Sequence, residues 1–414
     1  MSVTRRARLL VDVDNPRLVW LMSLSHGFNE FFSIIIPPLF PFLVPDLGIS
    51  YADASLLVVT FFVTYSVFQL PVGRLVDVYS PRMLLAVGMV VLSVGIAVVA
   101  LAPTFSTILV GMVVAGVGGS TYHPTGMSVI SDVESGETHG RSMGIHGMMG
   151  TLGSVTAPII LTAVAVAADW RTALLVGSAL GFVFGAILFV AYPRANPRAG
   201  PETDFLTAVR AEFGDGSLGG LTARLGEFLR SPTMVGLVLL FAVVGGEVRA
   251  VQSFTGVFAS QAVGDDPAFG NAMLSVTMVA AAIASTMAGY GVDRWNRRRF
   301  AAACFLLTAA AVAGLVFLPL GRYLLPVGFV VLGVVMYSIY PAANAITAGA
   351  TTEDQSGSVF AVTQTAAALG GASGPFVLGV VSDAFGLRYG FLTTAGIALV
   401  GAAVVVVAGG IMEE

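Results

Sequence analysis

The chain has 414 residues, of which 56% are hydrophobic and only 11% charged, with a net charge of -4 at pH 7. A soluble protein of this length needs far more charge to cover its surface, so a water-soluble globular fold is excluded. The apolar residues fall in runs long enough to cross a hydrocarbon core of roughly 30 Å as helices, and the short alternating segments of an outer-membrane barrel are not seen.

Twelve spans are predicted, at about 18–44, 53–76, 82–102, 105–131, 140–167, 171–192, 232–259, 268–292, 299–319, 323–350, 356–382 and 387–411. No cleavable signal peptide is expected ahead of span 1, because the first seventeen residues are polar and carry Arg5, Arg6 and Arg8. Most linkers are short and hold Pro, Gly, Asp or Arg, the residues of turns. The polar segment 193–231 is the exception. It contains Pro193, Pro197 and Pro201 and divides the chain into an N-terminal six-helix bundle (1–192) and a C-terminal one (232–414). An amphipathic helix over about 203–230 is compatible with this segment, although Gly214, Gly216, Gly219 and Gly220 interrupt it.

All twenty basic residues are arginine. Sixteen lie in the N-terminal tail, in the loops after spans 2, 4, 6 and 8, or just inside them; Arg171, Arg322 and Arg388 lie on the other side, and Arg249 falls within span 7. By the positive-inside rule both termini and the central loop are expected in the cytoplasm of a multi-pass cell-membrane protein. The single cysteine, Cys304, lies in an apolar run, which leaves no disulfide framework and no cysteine metal site.

The chain repeats itself. Gly73-x-x-x-Asp77 followed by Arg82 recurs 216 residues later as Gly289-x-x-x-Asp293 followed by Arg298. At an offset of 217, Pro124 matches Pro341, Gly140 matches Gly357, Pro158 matches Pro375 and Glu30 matches Glu247. Two parallel halves of one plan, with a site between them near the midplane, describe a transporter architecture.

At these residues the sequence resembles the major facilitator superfamily, whose loop signature is Gly-x-x-x-Asp-Arg-x-Gly-Arg-Arg. Gly73, Asp77 and Arg82 fit it, with Val78 and Ser80 as departures, and the second loop reads Gly289, Asp293, Arg294, Arg297 and Arg298. The resemblance implies an all-α fold of twelve transmembrane helices in two pseudo-symmetric bundles. It also implies that these loops form a charge relay closing the cytoplasmic side. A narrower resemblance is to the fosmidomycin-resistance group of drug:proton antiporters. That group's Ser-His-x-x-Asn-Asp appears as Ser25-His26-Gly27-Phe28-Asn29-Glu30, its Phe-His-Pro as Tyr122-His123-Pro124, and its Gly-x-x-His-Gly as Gly136 to Gly140. A drug-antiporter glycine motif is half present as Gly150, Gly153 and Pro158.

Ionisable side chains at membrane depth are costly and mark candidate sites. His26 and Glu30 are four residues apart and share a helical face, with Asn29 on a neighbouring one. A carboxyl in a low-dielectric cavity holds its proton more tightly than in water, and an imidazole beside it relays one. The pair is therefore either a proton site or a hydrogen-bonded polar cluster. Glu247 is the equivalent acid of span 7. Arg249, about 200° further round that helix, either pairs with an acid on another helix or binds an anionic substrate. His123 precedes Pro124, which opens the backbone; it is either a site residue or a cap for a freed carbonyl. His146 sits among Gly144, Gly147, Gly150 and Gly153, a row suited to close helix contact. By analogy of position, Tyr122, Tyr340 and Gln364 line the cavity. Asp77, Arg82, Asp293, Arg294 and Arg298 are either gating pairs or static surface bridges.

There is no Gly-x-x-x-x-Gly-Lys loop, no His-Glu-x-x-His and no Gly-x-Ser-x-Gly, and the basic residues flank spans instead of forming a nucleic-acid patch. An ATP-driven pump, an enzyme and a nucleic-acid binder are not expected, nor is a metal or cofactor other than the proton gradient. The expected function is proton-coupled transport by alternating access, exporting a small organic compound. The rivals are uptake of an organic anion or nutrient, and a facilitator or non-transporting sensor. The expected partners are that substrate and membrane lipid, and the expected state is a monomer.

Overall fold

The computed structural model describes residues 13–193, 207, 230–350 and 353–411. Among them every regular element is a helix, and twelve stretches are long and apolar enough to cross a membrane. The first six comprise α1 (Pro16–Ser33) with α2 (Phe40–Leu47), α3 (Tyr51–Val78), α4 (Pro81–Leu101), α5 (Phe105–Gly119) with α6 (Tyr122–Val133), α7 (Gly136–Ala167) and α8 (Trp170–Ala191). The last six comprise α9 (Pro232–Ala262), α10 (Pro267–Arg294), α11 (Arg297–Phe317), α12 (Gly321–Tyr337) with α13 (Ile339–Gly349), α14 (Glu353–Phe385) and α15 (Leu387–Ile411). The helix considered for 203–230, the central segment and the N-terminal tail lie almost wholly outside the described residues.

Spans 1, 4 and 10, each expected as one helix, are broken. Each break falls four residues before a proline. Proline has no N–H for the carbonyl four residues back and its ring collides with it. Pro37 thus ends α1 at Ser33, Pro124 ends α5 beside Ser120, and Pro341 ends α12 at Tyr337. The breaks in spans 4 and 10 fall at equivalent points of the repeat. Pro158 and Pro375 sit inside α7 and α14 without ending them.

Five arginines close helix ends. The last carbonyls of a helix lack an intrahelical donor and carry the negative end of its dipole. Arg17 Nη2 donates to Ala191 O (2.7 Å) and Arg82 Nε to Phe189 O (2.6 Å), both at the end of α8. Arg171 Nη1 reaches Ala100 O and Ala102 O at 2.9 and 3.0 Å, at the end of α4. Arg297 Nη1 reaches Ala345 O (2.8 Å) in α13, and Arg388 Nε reaches Val316 O (2.7 Å) in α11. Arg171 and Arg388 are themselves 217 residues apart, so this device belongs to the repeat.

By packing, the chain divides into two compact units. The first holds the described residues among 1–35, 64–164 and 168–217; the second holds those among 36–63, 165–167 and 218–414. In the first, α1 packs against α6 and α8, and α4 against α5 and α8. In the second, α9 lies along α14 and α15. Residues 36–63 join this unit through polar contacts. The Asp383 carboxylate accepts from the Tyr51 and Ala52 amides, both at 2.9 Å, and so caps the start of α3. Ser55 Oγ donates to Pro375 O at 2.9 Å, and Asn271 Nδ2 to Pro38 O at 2.7 Å.

Candidate functional site

In the first unit two of the four histidines converge on one acid and a third stacks behind them. His26 and Glu30, one turn apart on α1, place Nε2 and Oε1 3.7 Å from each other. From α6, His123 brings its own Nε2 to 3.6 Å from the same Oε1, with its side chain 38% exposed. The break before Pro124 sets that angle, since α6 starts afresh at Tyr122. His123 thus faces the carboxylate.

The imidazole of His26 lies against two other rings. It stacks on His146 with centroids 4.1 Å apart and on Tyr122 at 5.6 Å. Its Nδ1 lies 2.9 Å from the His146 carbonyl oxygen. A carbonyl only accepts, so Nδ1 carries the hydrogen, and in the neutral ring Nε2 turns a lone pair towards Glu30. Tyr122 is buried and donates its hydroxyl hydrogen to Met22 O at 2.6 Å; it is a wall of the cluster. Asn29 faces elsewhere and donates to Tyr65 Oη at 3.2 Å. The Ser33 hydroxyl lies 3.3 Å from Glu30 Oε2 and 2.9 Å from the Glu30 carbonyl.

Close approach of α7 makes this arrangement possible. A Cβ on Gly150 would overlap the His26 ring, and one on Gly153 would overlap the Gly27 carbonyl. At Gly144 and Gly147, among the described residues, nothing lies within 4 Å of such an atom. The glycine row is therefore a contact surface along only half its length. His146, read from sequence as a packing neighbour, is part of the cluster. No local pattern pointed to it, because its partner His26 is 120 residues away.

The second unit holds a different constellation. Glu247 on α9 is 1% exposed, and neither carboxyl oxygen has a hydrogen-bond partner among the described residues. An unpartnered ionised carboxylate at such depth costs several kcal/mol. Arg249 does not share its face. The guanidinium lies 4.3 Å from the Phe62 ring centroid, and Nη1 donates to Gln252 Oε1 at 2.8 Å. Gln252 Nε2 in turn donates to Tyr337 Oη at 2.6 Å, and the Tyr337 ring lies 5.9 Å from that of Tyr340. Among the described residues Arg249 thus meets an amide oxygen and an aromatic face, not a carboxylate. Gln252, Tyr337 and Phe62 were not signalled by sequence, since a polar or aromatic residue in a span has no distinctive spacing. Gln364 is an exposed residue of α14.

Of the loop residues, Arg82 caps α8 and lies 4.0 Å from the Phe189 ring centroid. Arg294 closes the last turn of α10, and the Arg298 amide donates to the N-cap side chain of Asn296 at 3.1 Å. The side chains of Asp77 and Asp293 lie outside the described residues.

Twelve spanning helices, a repeat expressed in the helix breaks, and ionisable groups inside the bundle define a multi-pass membrane transporter. The family model of the Major Facilitator Superfamily matches residues 19–266 and 248–410, and the chain belongs to that family. The fosmidomycin resistance protein of Escherichia coli is 29% identical over 169 residues, 41% of this chain and 40% of that protein. A probable L-galactonate transporter of the same organism is 31% identical over 142 residues, 34% of this chain and 31% of that protein. The matched stretch thus spans well under half the length of these relatives. Among solved structures, a bacterial homolog of the human lysosomal transporter Spinster, inward-facing and unoccupied, superposes with a TM-score of 0.81 at 17% identity. That match covers 95% of this chain and 97% of the other.

Proposed function

We propose that the protein is a proton-coupled antiporter that exports a small organic compound across the cell membrane by alternating access. The observation that carries this reading is the convergence of His26, His123 and Glu30 inside a bundle of membrane-spanning helices, with His146 stacked behind. A partly accessible carboxylate flanked by imidazoles is a group that a proton loads and unloads. Glu247, at the equivalent point of the repeat, is the second coupling residue. Coupling requires that protonation change the relative stability of the inward- and outward-open states. Similarity to a fosmidomycin resistance protein and to a thioclapurine efflux transporter of Claviceps purpurea supports the outward direction. The proton gradient is the only energy source required, both termini are cytoplasmic, and the working unit is a monomer.

Arg249 favours a second reading, uptake of an organic anion. Its guanidinium lacks a carboxylate partner among the described residues, and a carboxylate or phosphate is its natural ligand. The probable L-galactonate transporter is a relative whose name points the same way.

Proteoliposomes with imposed pH gradients separate the two. Ligands are first found by thermal shift in detergent, because a ligand bound to the native state raises its apparent stability. Antiport predicts that a compound moves against its own gradient when protons run the other way. Glu30→Gln and Glu247→Gln are each expected to abolish this uphill movement while sparing downhill exchange. Uphill transport by both variants at the parental rate would defeat the proposed coupling.

A further inference from the structure

The donor atoms of the histidine cluster also have the arrangement of a metal site. His26 Nε2, His123 Nε2 and Glu30 Oε1 all lie within 4.8 Å of one another, and the two nitrogens are 3.7 and 3.6 Å from the oxygen. These separations are too long for hydrogen bonds. They are close to the spacing of ligands around an ion. Tetrahedral bonds of about 2.0–2.1 Å to nitrogen and about 2.0–2.2 Å to oxygen put neighbouring donors roughly 3.3–3.5 Å apart. The two nitrogen–oxygen gaps exceed that spacing by a few tenths of an ångström, and the two nitrogens lie within 4.8 Å of each other, so binding one ion draws the carboxylate and both imidazoles inward.

The surroundings match as well. A metal-binding imidazole commonly donates its other N–H to a carbonyl or carboxylate, which fixes the ring and its tautomer. His26 does so through Nδ1 to the His146 carbonyl, leaving Nε2 as the ligand atom. Ser33 lies beside Oε2, the carboxylate oxygen not turned to the imidazoles. The side chain of His123 is 38% exposed, which gives an ion a way in and leaves a fourth position for water or a ligand. Two imidazoles and one carboxylate suit borderline divalent ions, whereas magnesium and calcium take more oxygen donors.

We propose that His26, His123 and Glu30 bind one divalent transition-metal ion, of which zinc is the type, with the fourth position open. This goes beyond the transport reading and does not depend on it, since binding requires only the three donors.

The test uses tag-free full-length protein in detergent, with Co²⁺ as the spectroscopic probe. The expected result is the intense visible absorption of four-coordinate cobalt, saturating at one equivalent, displaced by Zn²⁺ and unaffected by Mg²⁺. Glu30→Gln and His123→Ala are each expected to weaken binding at least tenfold, and His139→Ala, which alters the histidine outside the cluster, to leave it unchanged. Thermal melts check that the variants are folded, and the parental spectrum stands whether or not they are. The inference is overturned by absence of the band in the parent protein, by equal competition from Mg²⁺, or by binding that survives in both folded variants. Failure of the pH-gradient assay would leave the cobalt spectrum intact, and the converse holds.

Discussion

At Gly150 and Gly153 a single methyl group decides whether two helices can meet. Gly150 faces the His26 ring and Gly153 faces the Gly27 backbone. Gly150→Ala is expected to cost about 1–3 kcal/mol, the usual penalty of forcing extra volume into packed contacts. It should also displace His26 from Glu30. Gly144→Ala, on the same helix with open space around it, is expected to be neutral or stabilising by up to about 1 kcal/mol, because alanine is the better helix former. Melting temperatures of the two variants in one detergent check the contrast; equal losses would show that the whole row is packed. The same scale explains why Glu247 invites isosteric replacement. Among the described residues neither oxygen has a hydrogen-bond partner, so Glu247→Gln breaks no hydrogen bond there. It should melt within a degree or two of the parent while losing uphill transport.

At the scale of elements, polar side chains finish what the apolar runs begin. Glu134, 3% exposed in the turn after α6, accepts the backbone amides of Asn15 at 2.7 Å and Asp14 at 3.1 Å, just before α1. Burial alone would raise its pKa, but these two amides, helped by Ser142 and Thr138, hold it below the ordinary glutamate range. Its stabilisation is therefore fully present above the ordinary value of about 4.3 and is lost as pH falls through the lower folded value. Glu134→Gln should melt lower than the parent at pH 7, and the difference should shrink on acidification below about pH 4. Parallel melts from pH 7 to pH 3 measure it; a constant difference would rule the ionised form out as the source. The arginine caps make a second prediction. Arg171 satisfies two carbonyls at the end of α4 and Arg388 one at the end of α11. Losing bonds from a charged donor costs about 1.5–3 kcal/mol, so Arg171→Met should lower stability, and by more than Arg388→Met does. Melting of both variants checks the order.

At the scale of the molecule, the all-helical class and the twelve membrane spans were legible from sequence. Helices twenty residues long follow from apolar runs because a bilayer forbids unsatisfied backbone. The doubling follows from landmarks such as Glu30 and Glu247, whereas the breaks beside Ser120 and Tyr337, four residues before Pro124 and Pro341, interrupt spans expected whole. His26 and Glu30 were found because both sit on one turn of one helix, where spacing alone dictates proximity. His146, Gln252 and Tyr337 escaped because their partners lie on other helices, and helical periodicity describes a face without saying what it meets. That Arg249 would lie over Phe62, that Asp383 would cap α3, and that His146 would stack on His26 were decided only by packing. Composition and period act within a helix, whereas a site is assembled by side chains from several, held at distances that only close-packed backbones can set.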